Sequence, residues 1–361
     1  MKMKTNILYF LGFLFLLTSC NKDDDSEVVI RDRQEVYNEN IITIEDYLKN
    51  NKLVFDVTSN SYIGEALNVG DVSIWDDTTY PLQSVTVKND SRVSAYTDGL
   101  NDDPVEYKLY YVKIDEGTGQ TPLSIDSTLV AYKGWNLNNE TFDQNNAGRW
   151  FSFPESDNAS ISGFRQILSE LKAPTSLPAS TSRLIVFIPS GLAYFSGAIT
   201  NVGSYEPIIF DMQLKLIKER DHDADRIPSK YEDVNGDGDF FNDDTDGDLI
   251  PDFLDYDDDG DGYLTKYEIR HSITTGTDPN TVTTYYYYPF NGATVDEPLT
   301  PWDETRGIPR AFTGDLMSVT IPPSTTPVML KSPGVGDFTD ASRLRRHLDP
   351  NAKPPFYDQY Q

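Results

Sequence analysis

Between residues 126 and 216 the hydrophobic pattern changes from a period of two to a helical period and back, and each change marks an element. From Ser127 to Trp135, Leu129, Ala131 and Lys133 fall on one side of a strand and Val130, Tyr132 and Gly134 on the other. Glu140 to Asp143 continues as a short strand that ends in the turn-rich Gln144 to Gly148, and alternation resumes from Trp150 to Phe153. Ile161, Phe164, Leu168 and Leu171 recur at helical spacing and predict a helix over 161–171. Arg183 to Ile188 is a continuous apolar run closed by Pro189, Ser190 and Gly191, and Pro207 to Lys218 alternates strongly as a final strand. Strands, helix, strands in that order predict an α+β fold in which an antiparallel sheet wraps on one helix.

The flanks are less regular. Tyr37, Ile41, Ile44 and Leu48 give residues 31–50 the pattern of an amphipathic helix, expected to prop the domain from within the chain. Residues 55–104 are rich in Asn, Asp, Ser and Thr, with short strand-like runs such as Leu82 to Lys88, and the pattern assigns them no role.

Within the regular region, short motifs follow one another at fixed distances: Val130-Ala131-Tyr132-Lys133-Gly134, Thr141-Phe142-Asp143, Phe151-Ser152-Phe153, Ile161-Ser162-Gly163-Phe164, Ile188 to Tyr194 and Ile209-Phe210-Asp211. Through them, residues 105–220 resemble the FKBP-type peptidyl-prolyl cis-trans isomerases, and Tyr107 to Gly119 looks like that family's first strand and turn. The resemblance implies a proline pocket lined by Tyr132, Phe142, Phe151, Phe153, Ile161, Phe164, Tyr194 and Phe210. It also implies that Asp143 accepts a hydrogen bond at the rim, with the Tyr194 hydroxyl and the Ile161 N–H holding substrate carbonyls. The chain departs from the family at Phe164, where Trp is common, and at Phe195, where Gly is common; Arg149 is the nearest candidate to partner Asp143. The implied activity acts on proline-containing polypeptides and needs no organic cofactor. Rotation about a prolyl bond faces a barrier of about 18–20 kcal/mol set by amide resonance. A dry aromatic pocket lowers that barrier because resonance depends on charge separation that such a pocket does not support.

Composition adds a compartment and a cation. The formal net charge of −28 over 361 residues excludes a nucleic-acid partner, whose phosphates would be repelled, and favours bound cations. Lys2 and Lys4 precede the apolar run Ile7 to Leu17, too short to span a bilayer but suited to a signal segment over 1–20. Leu17-Thr18-Ser19-Cys20 resembles a bacterial lipobox, which implies lipidation of Cys20, the single cysteine. The acidic Asp23-Asp24-Asp25 resembles the surface-export signal of Bacteroidota lipoproteins and points to an outer-membrane lipoprotein, periplasmic or surface-exposed, with residues 21–104 as tether and extension. No pattern fixes an oligomeric state.

At Asp221 the sequence changes character: residues 221–268 hold 18 acidic and three basic residues, a block that repels itself unless cations neutralise it. Asp257, Asp259, Asp261, Gly262, Tyr263, Thr265 and Glu268 match positions 1, 3, 5, 6, 7, 9 and 12 of an EF-hand-type calcium loop. The frame recurs upstream as Asp244, Asp246, Asp248, Asp252 and Asp255, as Asp233, Asn235, Asp237 and Asp244, and as Asp221, Asp223, Asp225, Ser229 and Glu232. Starts at 221, 233, 244 and 257 leave no room for EF-hand helices, so the array resembles thrombospondin type 3 repeats, which implies an irregular loop array holding structural calcium. Arg226 and Leu249 stand where a turn glycine is expected. The remaining segment, 269–361, is Pro- and Thr-rich, and its basic patch of Arg343, Arg345, Arg346 and His347 reads first as a solvated helix end and otherwise as a cover for the acidic array or a partner.

Two functions follow as expectations. The first is an envelope-anchored prolyl isomerase that assists folding of exported proteins. The second is a calcium-binding surface adhesion or binding protein whose isomerase-like domain is a non-catalytic, passive spacer.

Overall fold

The computed structural model of the chain describes residues 30–95, 97–155, 160–175, 182–296, 303–319 and 326–352. The expected signal segment and Cys20 lie outside the described residues. No helix among the described residues is long and apolar enough to cross a membrane.

Helix α1 (Arg33–Asn50) starts at Asp32, whose carboxylate accepts from the Glu35 N–H at 2.9 Å. It buries Val36, Ile44, Tyr47 and Leu48, with Tyr37 and Ile41 half-buried beside them. Strands β1 (Asn51–Asp56) and β2 (Ser61–Ala66) form a hairpin. Strands β3 (Leu82–Lys88), β4 (Glu106–Asp115), β5 (Ser127–Asn136), β6 (Thr141–Phe151), β7 (Arg183–Ile188) and β8 (Ile208–Lys218) form one antiparallel sheet in the order β3-β4-β7-β8-β5-β6. Helix α2 (Ser162–Gln166), continued by a 3-10 turn over Ile167–Glu170, packs on one face through Phe164, Ile167, Leu168 and Leu171. The architecture is therefore the expected mixture of antiparallel sheet and few helices.

Three local features differ from the sequence expectations. Gln144 to Gly148 does not separate two strands. Val130 pairs with Arg149 and Tyr132 with Asn145, so Ala131 faces three residues of a bulge inside β6. Gly148 takes φ 97° there and donates its N–H to the Asn145 side chain at 3.0 Å, which satisfies the backbone the bulge frees. The predicted helix over 161–171 is α-helical only to Gln166 and then tightens to 3-10 geometry.

The third difference concerns 55–104. The sheet is covered on both faces. On the side opposite α2, Tyr110, Val112, Trp135, Ile185, Phe187 and Ile209 pack beneath α1, the β1–β2 hairpin and Ile74. Asp211 pins this cover: its carboxylate accepts from the Tyr62 N–H at 2.7 Å and lies 3.2 Å from Arg183. Burial pushes the Asp211 carboxyl up to about 6 although the Arg183 charge opposes the shift. Strand β3 extends the sheet beyond β4.

After β8 the acidic segment runs through short 3-10 turns into α3 (Thr265–Glu268), the hairpin β9 (Arg270–Thr275) with β10 (Val282–Tyr287), the hairpin β11 (Leu316–Val319) with β12 (Val328–Lys331), and α4 (Gly336–Thr339). Ile227 from the acidic segment shares a core with Ile269, Tyr288, Ile308 and Phe312. The basic patch is not a solvated end. Arg346 is fully buried and its charge acts on Glu268, Arg343 pairs with Asp337 at 2.8 Å, and the Arg345 guanidinium lies 3.6 Å from the Phe290 ring centre. Folding back brings the Arg346 charge to the Glu268 carboxylate, which burial has stripped of water.

Candidate active site and acidic loops

Strand β5 projects Tyr132 toward α2, and the neighbouring strands and loops add rings around it. Tyr132 lies 5.6 Å from Phe164, 5.9 Å from Phe210 and 5.9 Å from Phe151, and Phe164 lies 4.9 Å from Phe151 and 5.2 Å from Phe210. Phe142 from β6 adds edge contacts to Phe210 at 5.4 Å and to Tyr194 at 6.4 Å. Tyr132, Phe164 and Phe210 are buried and form a floor, while Phe142, Phe151, Ile161 and Tyr194 are half-buried around it. These edge-to-face and tilted contacts hold the rings against one another, the edge-to-face pairs adding about 0.5–1.5 kcal/mol each beyond area burial.

Gly134 makes the floor possible. A Cβ at that position would lie 2.5 Å from Phe142 Cζ and 2.7 Å from Phe210 Cε1, closer than carbon atoms approach, so the two rings meet across β5 only because residue 134 has no side chain.

The rim is polar. The Tyr132 hydroxyl donates to Asp143 Oδ2 at 2.9 Å. Burial, with the Asp143 carboxylate adding to it, pushes the Tyr132 hydroxyl up to about 12. Burial first and the Asp143 charge second also raise Tyr194, so both hydroxyls stay protonated donors at neutral pH. The Ile161 N–H sits at the start of α2 and, among the described residues, donates to no other group. Arg149 acts on the Tyr132 hydroxyl, and no ion pair joins it to Asp143 among the described residues; its guanidinium lies 5.4 Å from the Phe151 ring centre. Phe195 adopts φ 47° at the position where a glycine was expected. A left-handed non-glycine residue costs on the order of 1 kcal/mol. Its ring is held between Tyr205 at 5.1 Å and the Arg33 guanidinium at 4.2 Å, and Asn40 of α1 binds both the Ser190 N–H at 2.7 Å and the Tyr205 carbonyl at 2.9 Å. The prop helix thus fixes both ends of the loop that carries Tyr194.

Phe153 is not part of this aromatic group. Strand β6 ends at Phe151, the alternation stops there, and Phe153 turns toward the acidic segment, 6.2 Å from Phe241 and beneath the Arg165 guanidinium at 3.3 Å. Arg92 completes this contact, lying over Phe241 and pairing with Asp90 at 3.0 Å and Asp239 at 2.7 Å.

The acidic loops share a repeated geometry. In three of them the first Asp accepts from backbone N–H groups ahead of it: Asp233 from Gly236 and Gly238, Asp244 from Gly247 and Leu249, Asp257 from Gly262. Arg226 and Leu249, which replace the expected glycines, adopt φ 90° and 79°, so the loop shape survives the substitution. Asp244, Asp246 and Asp248 converge, as do Asp257, Asp259 and Asp261. Glu268 is fully buried beside the latter group, and burial raises its carboxyl to about 9, with the Asp259 charge next in effect.

Other expected ligands also take hydrogen bonds within the array. Asp252 accepts from the Thr245 N–H and hydroxyl at 2.8 and 2.7 Å, Asp255 accepts from the Asp257 N–H at 3.0 Å, and the Thr265 hydroxyl accepts from the Asp258 N–H at 3.2 Å. In the first loop Asp223, Asp225 and Glu232 converge with Asp258, a residue outside the alternating frame. Its neighbours in Asp257-Asp258-Asp259 fill frame positions, so only three-dimensional folding reveals it. Burial and the other carboxylates raise the carboxyls of Glu232 and Asp258 well above the ordinary range.

Comparison with known proteins adds the following. A protein-family model described as BamM C-terminal matches residues 222–302, which include the acidic loops and the β9–β10 hairpin. No curated protein matches the chain. Among solved structures, a peptidyl-prolyl cis-trans isomerase from Pseudomonas syringae is similar over 31% of this chain and 76% of its own, at 23% identity and a TM-score of 0.27. FkpA from Escherichia coli is similar over 30% and 48%, at 23% identity and a TM-score of 0.26. The N-terminal domain of FKBP42 from Arabidopsis thaliana is similar over 31% and 87%, at 17% identity and a TM-score of 0.27. At these scores the likeness carries no argument about activity, which rests on the site itself.

Proposed function

We propose that the chain is a peptidyl-prolyl cis-trans isomerase of the cell envelope, anchored through a lipid on Cys20 and carrying a calcium-held module after its isomerase domain. The observation that supports this most directly is the ring floor of Tyr132, Phe164 and Phe210, with Tyr194 and Ile161 packed against the same cluster and Asp143 bound to the Tyr132 hydroxyl.

The reaction requires no bond to be made. A proline ring on the aromatic floor leaves water behind, and a dry site disfavours the charge-separated resonance form that keeps the imide planar. The Tyr194 hydroxyl and the Ile161 N–H are donors able to hold the flanking carbonyls while the imide turns. Asp143, through its bond to Tyr132, holds the rim in register. Donors placed for the twisted form rather than for either planar isomer lower the barrier without favouring a product. Polypeptides with an apolar residue before proline fit a site built of rings.

Calcium is the group that the acidic segment fits. Among the described residues, Asp223, Asp225, Glu232, Asp243, Asp257, Asp258 and Glu268 each bury at least one carboxylate oxygen with no hydrogen-bond partner, a costly arrangement without a cation. Asp233, Asn235 and Asp237, then Asp244, Asp246 and Asp248, then Asp257, Asp259, Asp261 and Glu268 would hold it. When bound it neutralises the segment and stiffens it. The lipobox and the acidic residues after Cys20 support an outer-membrane lipoprotein.

The test is a protease-coupled prolyl isomerisation assay on the chain from residue 21 onward, beside a double variant carrying Tyr194→Phe and Asp143→Ala. Acceleration by the unmodified chain that falls in the variant is expected. No acceleration over the spontaneous reaction on several peptides would reject the isomerase and favour a binding protein.

A further inference from the structure

We infer that Asp223, Asp225 and Glu232 of the first twelve-residue frame and Asp258, which lies outside every frame, form a single closed divalent-cation site that joins the first acidic loop to the last. The inference rests on the calcium reading above and adds to it a site with ligands from both ends of the array.

All four residues are buried, and one oxygen from each lies within 4.8 Å of the others. Oxygens gathered this closely can share one ion, and a cage made wholly of protein oxygens suits calcium better than magnesium, which keeps several waters. Glu232 is 2% exposed and Asp258 1%, and neither carboxylate has a hydrogen-bond partner on either oxygen. Asp223 and Asp225 each contribute one further buried oxygen without a partner, while their other oxygens accept from the Asp225 and Ile227 N–H groups. The acceptors therefore outnumber any donors supplied. The strongest charges acting on Glu232 come from Asp225, Asp258, Asp223 and Asp252, all carboxylates. Four acidic side chains taken out of water with no cation among their strongest partners cost far more than a domain's stability can absorb, so a metal belongs between them.

The position gives the site a consequence. Ile227, next to the ligands of the first loop, lies in the C-terminal core with Ile269 and Tyr288, and Asp258 is held by the Thr265 hydroxyl at the start of α3. Occupancy closes the array into a ring over that core, where a linear file of loop sites would leave the ends independent.

The test counts calcium ions by titration calorimetry on the chain from residue 21 onward, for the unmodified protein, Asp258→Asn and Glu232→Gln, with melting temperatures in excess calcium and in chelator. Each variant is expected to bind one ion fewer. The melting order is expected to reverse: below the unmodified protein in calcium, and above it in chelator, where a buried charge has been removed. A purely structural role for Asp258 would lower the melting temperature in both conditions, and that result overturns the site. An unchanged ion count in Asp258→Asn also overturns it while leaving the loop sites standing. An unmodified protein that binds no calcium removes this site and the calcium reading together.

Discussion

Replacing Gly134 with Ala is a small change that strikes the pocket floor. The added Cβ would meet Phe142 Cζ at 2.5 Å and Phe210 Cε1 at 2.7 Å. Unstrained carbon contacts begin at about 3.5 Å, so one or both rings must retreat by roughly 1 Å. Phe210 is buried and in edge contact with Tyr132 and Phe164, whereas Phe142 is half-buried and able to swing outward. Overpacking of this kind costs about 1–3 kcal/mol, within what a folded domain tolerates. The consequence for activity is larger, because displacing a positioning wall by about 1 Å costs as much as 100-fold. The variant should therefore keep its circular dichroism spectrum, melt somewhat earlier, and lose one to two orders of magnitude in kcat/KM for a prolyl peptide. A variant with unchanged kcat/KM would refute the reasoning, since the floor would then have no part in the reaction.

Further outcomes follow from the support around the site. Asn40→Ala removes two buried bonds, to the Ser190 N–H and the Tyr205 carbonyl, and should lower unfolding free energy in urea by about 1–3 kcal/mol while reducing kcat/KM through the Tyr194 loop. Because the folded state raises the Asp211 carboxyl from 3.8 to about 6, the folded protein binds its proton more tightly than the unfolded chain. That contribution, of order 3 kcal/mol, is present at low pH and is lost as pH rises from about 4 to about 6, so Asp211→Asn should flatten this part of a stability-versus-pH curve. Chelation should destabilise the segment after residue 221: about 2 mM calcium at a site of about 10⁻⁴ M affinity contributes roughly 1.8 kcal/mol, and a melt that ignores chelator would contradict calcium binding.

How much of this was legible beforehand differs by region. Strands β5 and β8 and the Tyr132–Phe164–Phe210 floor followed from alternation and from motif order, and β7 from its continuous apolar run. The second cover of the sheet was not read, yet a signal existed. Arg183 to Ile188 is apolar at consecutive positions, the mark of a strand buried on both faces, and something had to cover the side bearing Ile185 and Phe187. The hairpin that does so carries only short apolar runs, Leu53 to Phe55 and Tyr62 to Ile63, and is tied down by Asp211, so its role was invisible in one dimension. Phe153 was misplaced because its pattern continues β6 for two residues past the strand's end, and where a strand ends is a tertiary matter. The acidic frames at 233, 244 and 257 were legible because their carboxylates alternate. Asp258 was not, since its cluster forms between residues far apart in the chain. The basic patch misled for the same reason: Arg346 is buried by a fold-back that composition cannot express.

The most direct test of the central claim is two-dimensional exchange NMR on a peptide with an apolar residue before proline, with the chain from residue 21 added in catalytic amount. Uncatalysed prolyl exchange takes tens to hundreds of seconds, so the peptide alone gives no cross-peaks between its cis and trans signals on a sub-second mixing time. The account predicts that cross-peaks appear on adding the unmodified chain and weaken with Gly134→Ala. Separate signals with no exchange at any protein concentration would contradict it.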